Sequence, residues 1–332
     1  MKRLLYLLFP LLLLLVLTAC AGKPEIGEGE LEYTESKDYY TVKGIGTYTG
    51  TVVEIPSEYK GKTVRAIGTG AFKDTDITKV ILPSSIAIIN SSAFENCTSL
   101  TEVVSNSAKI GTVSHDAFKN TPFLDDGIER EKVFYLGNVL LGVHPDYEGE
   151  LRLKEGTYAT AYDAMAGCSR LTSLVVPEGM YHFGKYALMD CVSLESVTFD
   201  GAIGYIGEGV FYGCTSLKGI ALKGSCVSIG PRAFAYCESL ASVTLGEKTD
   251  ILDKSAFAYC SSLERITLPE TMKTLADEAF LYCTSLREIN FPEALASVGH
   301  KCFKGCKSLT VPTLGEGVTV GVLAFDGCKT TK

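Results

Sequence analysis

From residue 39 onward, apolar and polar positions recur with a period near 23 residues. The stretch AFAYCSSLERITLPE, residues 256–270, is echoed 23 residues upstream by AFAYCESLASVTLGE and 23 downstream by AFLYCTSLREINFPE. Large apolar anchors fall at Phe72, Phe94, Phe118, Met165, Leu188, Phe211, Phe234, Phe257, Phe280, Phe303 and Phe325. Every step from Met165 to Phe303 is 23, and the others are 22, 24, 47 and 22. Self-similarity at such a period is the mark of a solenoid. A single coil cannot bury its apolar side, so each coil does so against its neighbours.

Inside one coil the pattern predicts a strand. Leu263, Ile266 and Leu268 face inward, and Thr267 alternates outward with the period of two that a strand requires. Pro177, Pro269 and Pro292 follow the strand, where a missing N–H does least harm to the ladder. Gly184, Gly207, Gly230 and Gly299 occupy the second turn, which calls either for positive φ or for close packing. The expected fold is therefore a β-rich α/β repeat over residues 38–332, a solenoid with one parallel strand per coil of about 23 residues. The doubled step of 47 marks an atypical coil at about residues 119–158. There VFYLGNVLLGV, residues 133–143, places two apolar runs around Gly137-Asn138, the signal of a β-hairpin.

The motif A-F-x-x-C-x-x-L-x-x-V-x-L-P resembles the repeat of the BspA-like leucine-rich-repeat family of bacterial surface proteins. The resemblance covers about residues 39–328, and the stretch from Tyr39 to Phe72 is similar to that family's opening coil. It implies a curved leucine-rich-repeat solenoid of parallel strands and a role in surface adhesion or binding. The chain departs from the pattern at residues 119–158, at Met165 and Leu188, and in the final strand SLTVPTLGE, which carries one extra residue.

Cys168, Cys191, Cys214, Cys237, Cys260, Cys283 and Cys306 are 23 residues apart, and Cys97 and Cys328 share their slot three residues after an anchor. Stacked at the spacing of paired strands, they read as a ladder of small buried apolar groups with weak S–H donors. A disulfide framework is the main competitor. Setting Cys20 aside leaves 11 of the 12 cysteines, an odd number, and parallel Cβ vectors suit a disulfide dihedral poorly. One or two pairs remain open. Zinc needs about four convergent ligands, whereas a ladder diverges, and Cys302 and Cys306 have only His300 nearby. A reactive thiol needs a cationic or histidine neighbour that no ladder cysteine has in sequence. The four histidines stand apart, with no HExxH and no phosphate-binding loop. No metal, cofactor or catalytic residue is expected.

The first residues change the picture of location. Lys2 and Arg3 precede a leucine-rich run over residues 4–19, which reads as a signal peptide spanning residues 1–19. The run ends in LTAC, which resembles the bacterial lipobox, and the resemblance implies acylation of Cys20 as the new N-terminus. Residues 20–37 are rich in Gly, Pro and Glu and read as a flexible tether. The expected protein is held on a membrane through its lipid and faces outward from the cell envelope. Its 31 Lys+Arg against 39 Asp+Glu, a formal charge of −8, exclude a nucleic-acid partner, which needs a concentrated basic face.

Two surfaces stand out for binding. Val175, Thr198, Ala221, Thr244, Thr267 and Asn290 form an outward strand row flanked by Glu195, Lys218, Glu264 and Arg287. Small, hydroxyl-rich and mixed in sign, it suits an extended protein or glycan. Just before the ladder cysteine, where most coils carry Gly or Asp, three successive coils carry Tyr236, Tyr259 and Tyr282. This strip is either a site for sugar rings or protein, or a self-stacked row that shields the turn. The function expected is non-enzymatic binding by a surface lipoprotein. An envelope lipoprotein for nutrient capture or assembly and a cell-wall enzyme are the alternatives.

Overall fold

The computed structural model describes residues 27–107, 110–222, 224 and 226–330. The expected signal peptide over residues 1–19 and Cys20 lie outside the described residues. What is described is a β-solenoid of stacked coils. Its broad wall is a parallel sheet running from Gly149–Arg152 through Leu171–Val176, Ser196–Phe199, Gly219–Ala221, Ser242–Thr244 and Arg265–Thr267 to Glu288–Ile289. A second wall stacks Ser228–Ile229, Ile251–Leu252, Thr274–Leu275, Ser297–Val298 and Thr319–Val320. The sequence period sets the register: Ser242 pairs with Arg265, Val243 with Ile266 and Thr244 with Thr267.

The core is a column of anchors. Phe211, Phe234, Phe257, Phe280 and Phe303 are fully buried, with successive ring centroids 5.0, 5.1, 5.6 and 5.1 Å apart. That rise follows the ~4.8 Å separation of paired strands, so the rings stack because the backbones do. Each anchor is flanked at −2 and +2 by residues with positive φ. Around Phe257 these are Ser255 and Tyr259, at 57° and 63°, and around Phe94 they are Ser92 and Asn96, at 56° and 60°. This is why Gly, Asn and Asp recur just before the ladder cysteine: they tolerate the left-handed region best.

The second-turn glycines resolve the choice left open by the sequence. None of Gly184, Gly207, Gly230 and Gly299 has positive φ. A Cβ would stand 2.3 Å from the Ala161 carbonyl at Gly184, 3.0 Å from the backbone of Gly207 at Gly230, and 2.4 Å from the Asp277 nitrogen at Gly299. Close packing between coils is the reason at these three. Gly207 meets its neighbour at an ordinary 3.5 Å.

Two segments depart from expectation. Part of the segment expected to be a flexible tether is a strand: Glu32–Glu35 pairs antiparallel with Tyr40–Gly44. The cause is aromatic. Tyr33 stacks on Tyr59 at 4.0 Å, and Tyr40 meets Tyr59 edge-on at 5.2 Å, so this hairpin covers the first sheet edge. The atypical coil contains the expected hairpin, Val133–Leu136 against Val139–Val143, with Gly137 supplying a φ of 60° at the turn. Ahead of it stands a helix that the hydrophobic period does not reveal, Pro122–Glu131. Thr121 caps it by accepting from the Leu124 amide, and Pro122 occupies the first turn.

Candidate functional site

On the broad wall, Thr198, Ala221, Thr244 and Thr267 are exposed and aligned as the sequence requires. The two ends of the expected row differ. Val175 is buried, so it is a core residue rather than part of the face. Asn290 is turned back onto the scaffold: its Oδ1 accepts from the Leu268 amide at 2.7 Å and its Nδ2 donates to the Leu268 carbonyl at 2.8 Å. The side chain replaces a strand rung where regular pairing stops at Ile289. Of the flanking charges, Lys218 pairs with Glu195 at 2.5 Å and Arg287 with Glu264 at 2.8 Å, each across one coil. Exposed pairs like these contribute at most about 1 kcal/mol. They leave the face electrically neutral along its length, with a row of threonine hydroxyls between paired charges.

Tyr236, Tyr259 and Tyr282 do form a stack, with centroids 4.6 and 5.3 Å apart. A shallow groove of about 280 Å³ runs beside them, lined also by Glu238, Ser261 and Thr284. The inner ring faces are occupied. Tyr212 leans against Tyr236 at 5.3 Å with the ring planes tilted by 60°, and the Gly305 backbone lies so close to Tyr282 that a Cβ there would be 2.4 Å from the ring. A sugar ring stacks on an aromatic face, and the faces of this strip are spent on one another. What the strip offers to solvent is ring edges and phenol oxygens.

The ladder cysteines have a task the sequence only partly discloses. Above a regular coil the thiol donates to the anchor carbonyl of that preceding coil: Cys237 to Phe211, Cys260 to Phe234 and Cys283 to Phe257, at 3.0, 3.1 and 3.1 Å, whereas Cys168, above the hairpin, reaches only the Val143 and His144 carbonyls at 3.9 and 3.8 Å. The anchor carbonyl also accepts the amide of its own ladder cysteine, as Phe257 does from Cys260 at 3.3 Å. The thiol therefore fills the second lone pair of a buried oxygen. All eleven described cysteines are free. Burial raises the pKa of the enclosed thiols, to about 11 for Cys168 and Cys226 and about 12 for Cys214, whereas that of the half-buried Cys328 is lowered by its hydrogen bond with Cys306. No group of three or more His, Cys, Asp or Glu among the described residues is placed to hold a metal ion.

Sequence reasoning missed a cleft of about 340 Å³ at the atypical coil. One wall is the turn around Phe118 and the other the turn before Met165, with Leu124, Ile128, Leu141 and Val143 between them. His115 crosses the opening to Asp163 at 2.7 Å. The doubled anchor step was the available signal, since it implies a missing turn between two intact ones.

A family profile described as the BspA type leucine rich repeat region, in six copies, matches residues 44–138, 150–261 and 211–332. Among solved structures, a leucine-rich-repeat protein of T. pallidum is 27% identical with a TM-score of 0.47, over 54% of this chain and 84% of that one. A leucine-rich-repeat protein of Bacteroides ovatus is 20% identical with a TM-score of 0.33, over 92% and 99% of the two chains. A leucine-rich cell surface protein of Faecalibacterium prausnitzii is 19% identical with a TM-score of 0.33, over 90% and 94%. No curated protein matches. None of the described helices is long and apolar enough to cross a membrane.

Proposed function

The chain belongs to the BspA-type leucine-rich-repeat family, and from that premise we propose that it is a lipid-anchored surface protein that binds an extracellular protein or glycan without catalysis. The observation that carries the binding role is the exposed, in-register row Thr198, Thr244 and Thr267 on a sheet whose flanking charges are already paired. A rigid row of hydroxyls on stacked strands, interrupted once at Ala221, matches hydrogen-bonding groups that recur along an extended partner. The anchoring part rests on LTAC and its Cys20. Two acyl chains hold a protein on a bilayer where one would exchange.

The anchor is tested with labelled fatty acid, which should enter the wild-type chain and not Cys20→Ser. Equal labelling of both, or a soluble wild-type protein, defeats it. The binding role is tested by pull-down with residues 21–332 from cell-wall, matrix and polysaccharide fractions. Retention should fall at least about tenfold when Thr198, Thr244 and Thr267 are all replaced by Glu, a loss of about 1.4 kcal/mol or more. Unchanged retention removes this face from the reading, and hydrolysis of any fraction would make the protein an enzyme.

A further inference from the structure

In regular coils the turn around each anchor has a direction. The amides of Arg232, Phe234 and Tyr236 donate to the carbonyls of Lys254, Ala256 and Ala258 in the following coil, at 2.9, 2.8 and 2.8 Å. Ser92, Phe94 and Asn96 likewise donate to His115, Ala117 and Lys119, at 3.1, 2.8 and 2.9 Å. The next turn keeps the same backbone form, with Asp116 and Asn120 both at a φ of 56°. Its three amides, those of Asp116, Phe118 and Asn120, have no acceptor among the described residues. The coil that would have accepted them is replaced by the helix and the hairpin. Val143 restores only the outgoing side, donating to the Ala164 carbonyl at 2.7 Å.

These three orphan donors stand along one wall of the cleft between the Phe118 and Met165 turns. Phe118 is buried and Asp116 half-buried, and backbone amides so placed are almost always paired, so this row, with Asn120 at its exposed end, describes its missing occupant. The occupant presents backbone carbonyls on alternate residues, as a regular coil does. The cleft floor of Phe118, Leu124, Ile128, Leu141 and Val143 takes an apolar side chain in the position of an anchor. Asp116, Asp125 and Asp163 face the space against Lys119 and His115, so a free anion is disfavoured and a neutral or cationic peptide is not. At about 340 Å³ the cleft is near the lower end of the ~300–1,000 Å³ typical of ligand sites, enough for a short segment only.

We propose that this cleft is a peptide-binding site, in which a short apolar segment of another polypeptide lies along the Asp116–Phe118–Asn120 amides and completes the interrupted ladder. The recognition is strand addition in kind: main-chain hydrogen bonds give affinity and one side-chain pocket gives selectivity. It is independent of the lipid anchor and of the threonine row.

The probe is a capped peptide, KSAFAY, copying residues 254–259, which supplies the three carbonyls a regular coil receives. Amide hydrogen exchange is followed residue by residue by NMR in the full chain. Without peptide, the amides of Asp116, Phe118 and Asn120 should exchange at least about tenfold faster than those of Ser92, Phe94 and Asn96. With about 1 mM peptide they should slow at least about tenfold, which corresponds to a Kd of about 0.1 mM or tighter, while the second set stays unchanged. KSAAAY, lacking the aromatic anchor, should give little protection. Slow exchange in the free protein, no protection by KSAFAY, or equal protection by KSAAAY would each overturn the proposal. So would equal protection by acetate or inorganic phosphate, which would make the row an anion site.

Discussion

Tyr259 sits at a φ of 63°, where a side chain with a Cβ costs roughly 1–2 kcal/mol over the right-handed region. The stack with Tyr236 and Tyr282 offsets that cost, which explains why the tyrosines come as neighbours rather than singly. Replacing Tyr259 separates the two effects. Tyr259→Ala loses the ring and keeps the strain, whereas Tyr259→Gly loses the ring and the strain together. Urea unfolding should place the glycine variant about 0.5–1 kcal/mol above the alanine variant, and equal midpoints would mean the turn tolerates a Cβ freely. The ladder thiols carry a pH signature of definite sign. An unfolded thiol titrates near about 8.5, while burial holds Cys214 up to about 12 in the folded chain. The folded state thus keeps protons that the unfolded state gives up. Stability from this source is complete below pH ~8.5 and is lost as pH rises toward the folded values. Unfolding midpoints should be level between about pH 6 and 8 and fall above about 9. Cys214→Ala should fall less steeply, by about 1.4 kcal/mol per pH unit.

Among elements, the second turn is a place where the backbones of neighbouring coils approach closely. Gly299→Ala would put a Cβ 2.4 Å from the Asp277 nitrogen, a backbone atom that cannot swing aside. The expected loss is about 1–3 kcal/mol by differential scanning calorimetry. Gly207→Ala, with 3.5 Å of clearance, should cost less than about half of that, and the contrast distinguishes packing from a general dislike of alanine in turns. The strands and their register were legible because a 23-residue repeat places the same side chain at the same point in every coil. The helix Pro122–Glu131 was not legible by that route, because it occurs once and the period says nothing about it. Its start was nonetheless written locally, in Thr121 and Pro122. The strand Glu32–Glu35 was hidden for another reason: its Gly- and Glu-rich surroundings look unstructured until Tyr59, far along the chain, is placed against Tyr33. Of the candidate surfaces, Thr198, Thr244 and Thr267 were legible from alternation alone. Val175 and Asn290 were not, since their burial and their backbone bonds depend on what neighbouring coils do.

For the whole molecule, stability is a property of the stack. Phe257 is fully buried between Phe234 and Phe280, so Phe257→Ala should cost about 3–5 kcal/mol. Because coils are stabilised by their neighbours, the damage should spread. Exchange should quicken at the Phe234 amide as well as at Phe257 itself, while Phe72 and Phe94, many coils away, stay protected. A loss confined to one coil, or below about 1 kcal/mol, would place Phe257 outside the cooperative core. The ladder of free thiols gives this cooperativity a one-way character in an oxidising medium. Folded, the chain holds the buried ladder thiols protonated against carbonyls, and a protonated thiol does not attack a disulfide or a peroxide. Unfolded, it releases many thiols together onto one flexible strand, each with an ordinary pKa and many possible partners. Mispaired bridges formed then would be incompatible with coils whose cysteines must stand apart in register. Survival of the fold outside a reducing compartment is therefore set by how seldom the stack opens, a half-life rather than an equilibrium constant.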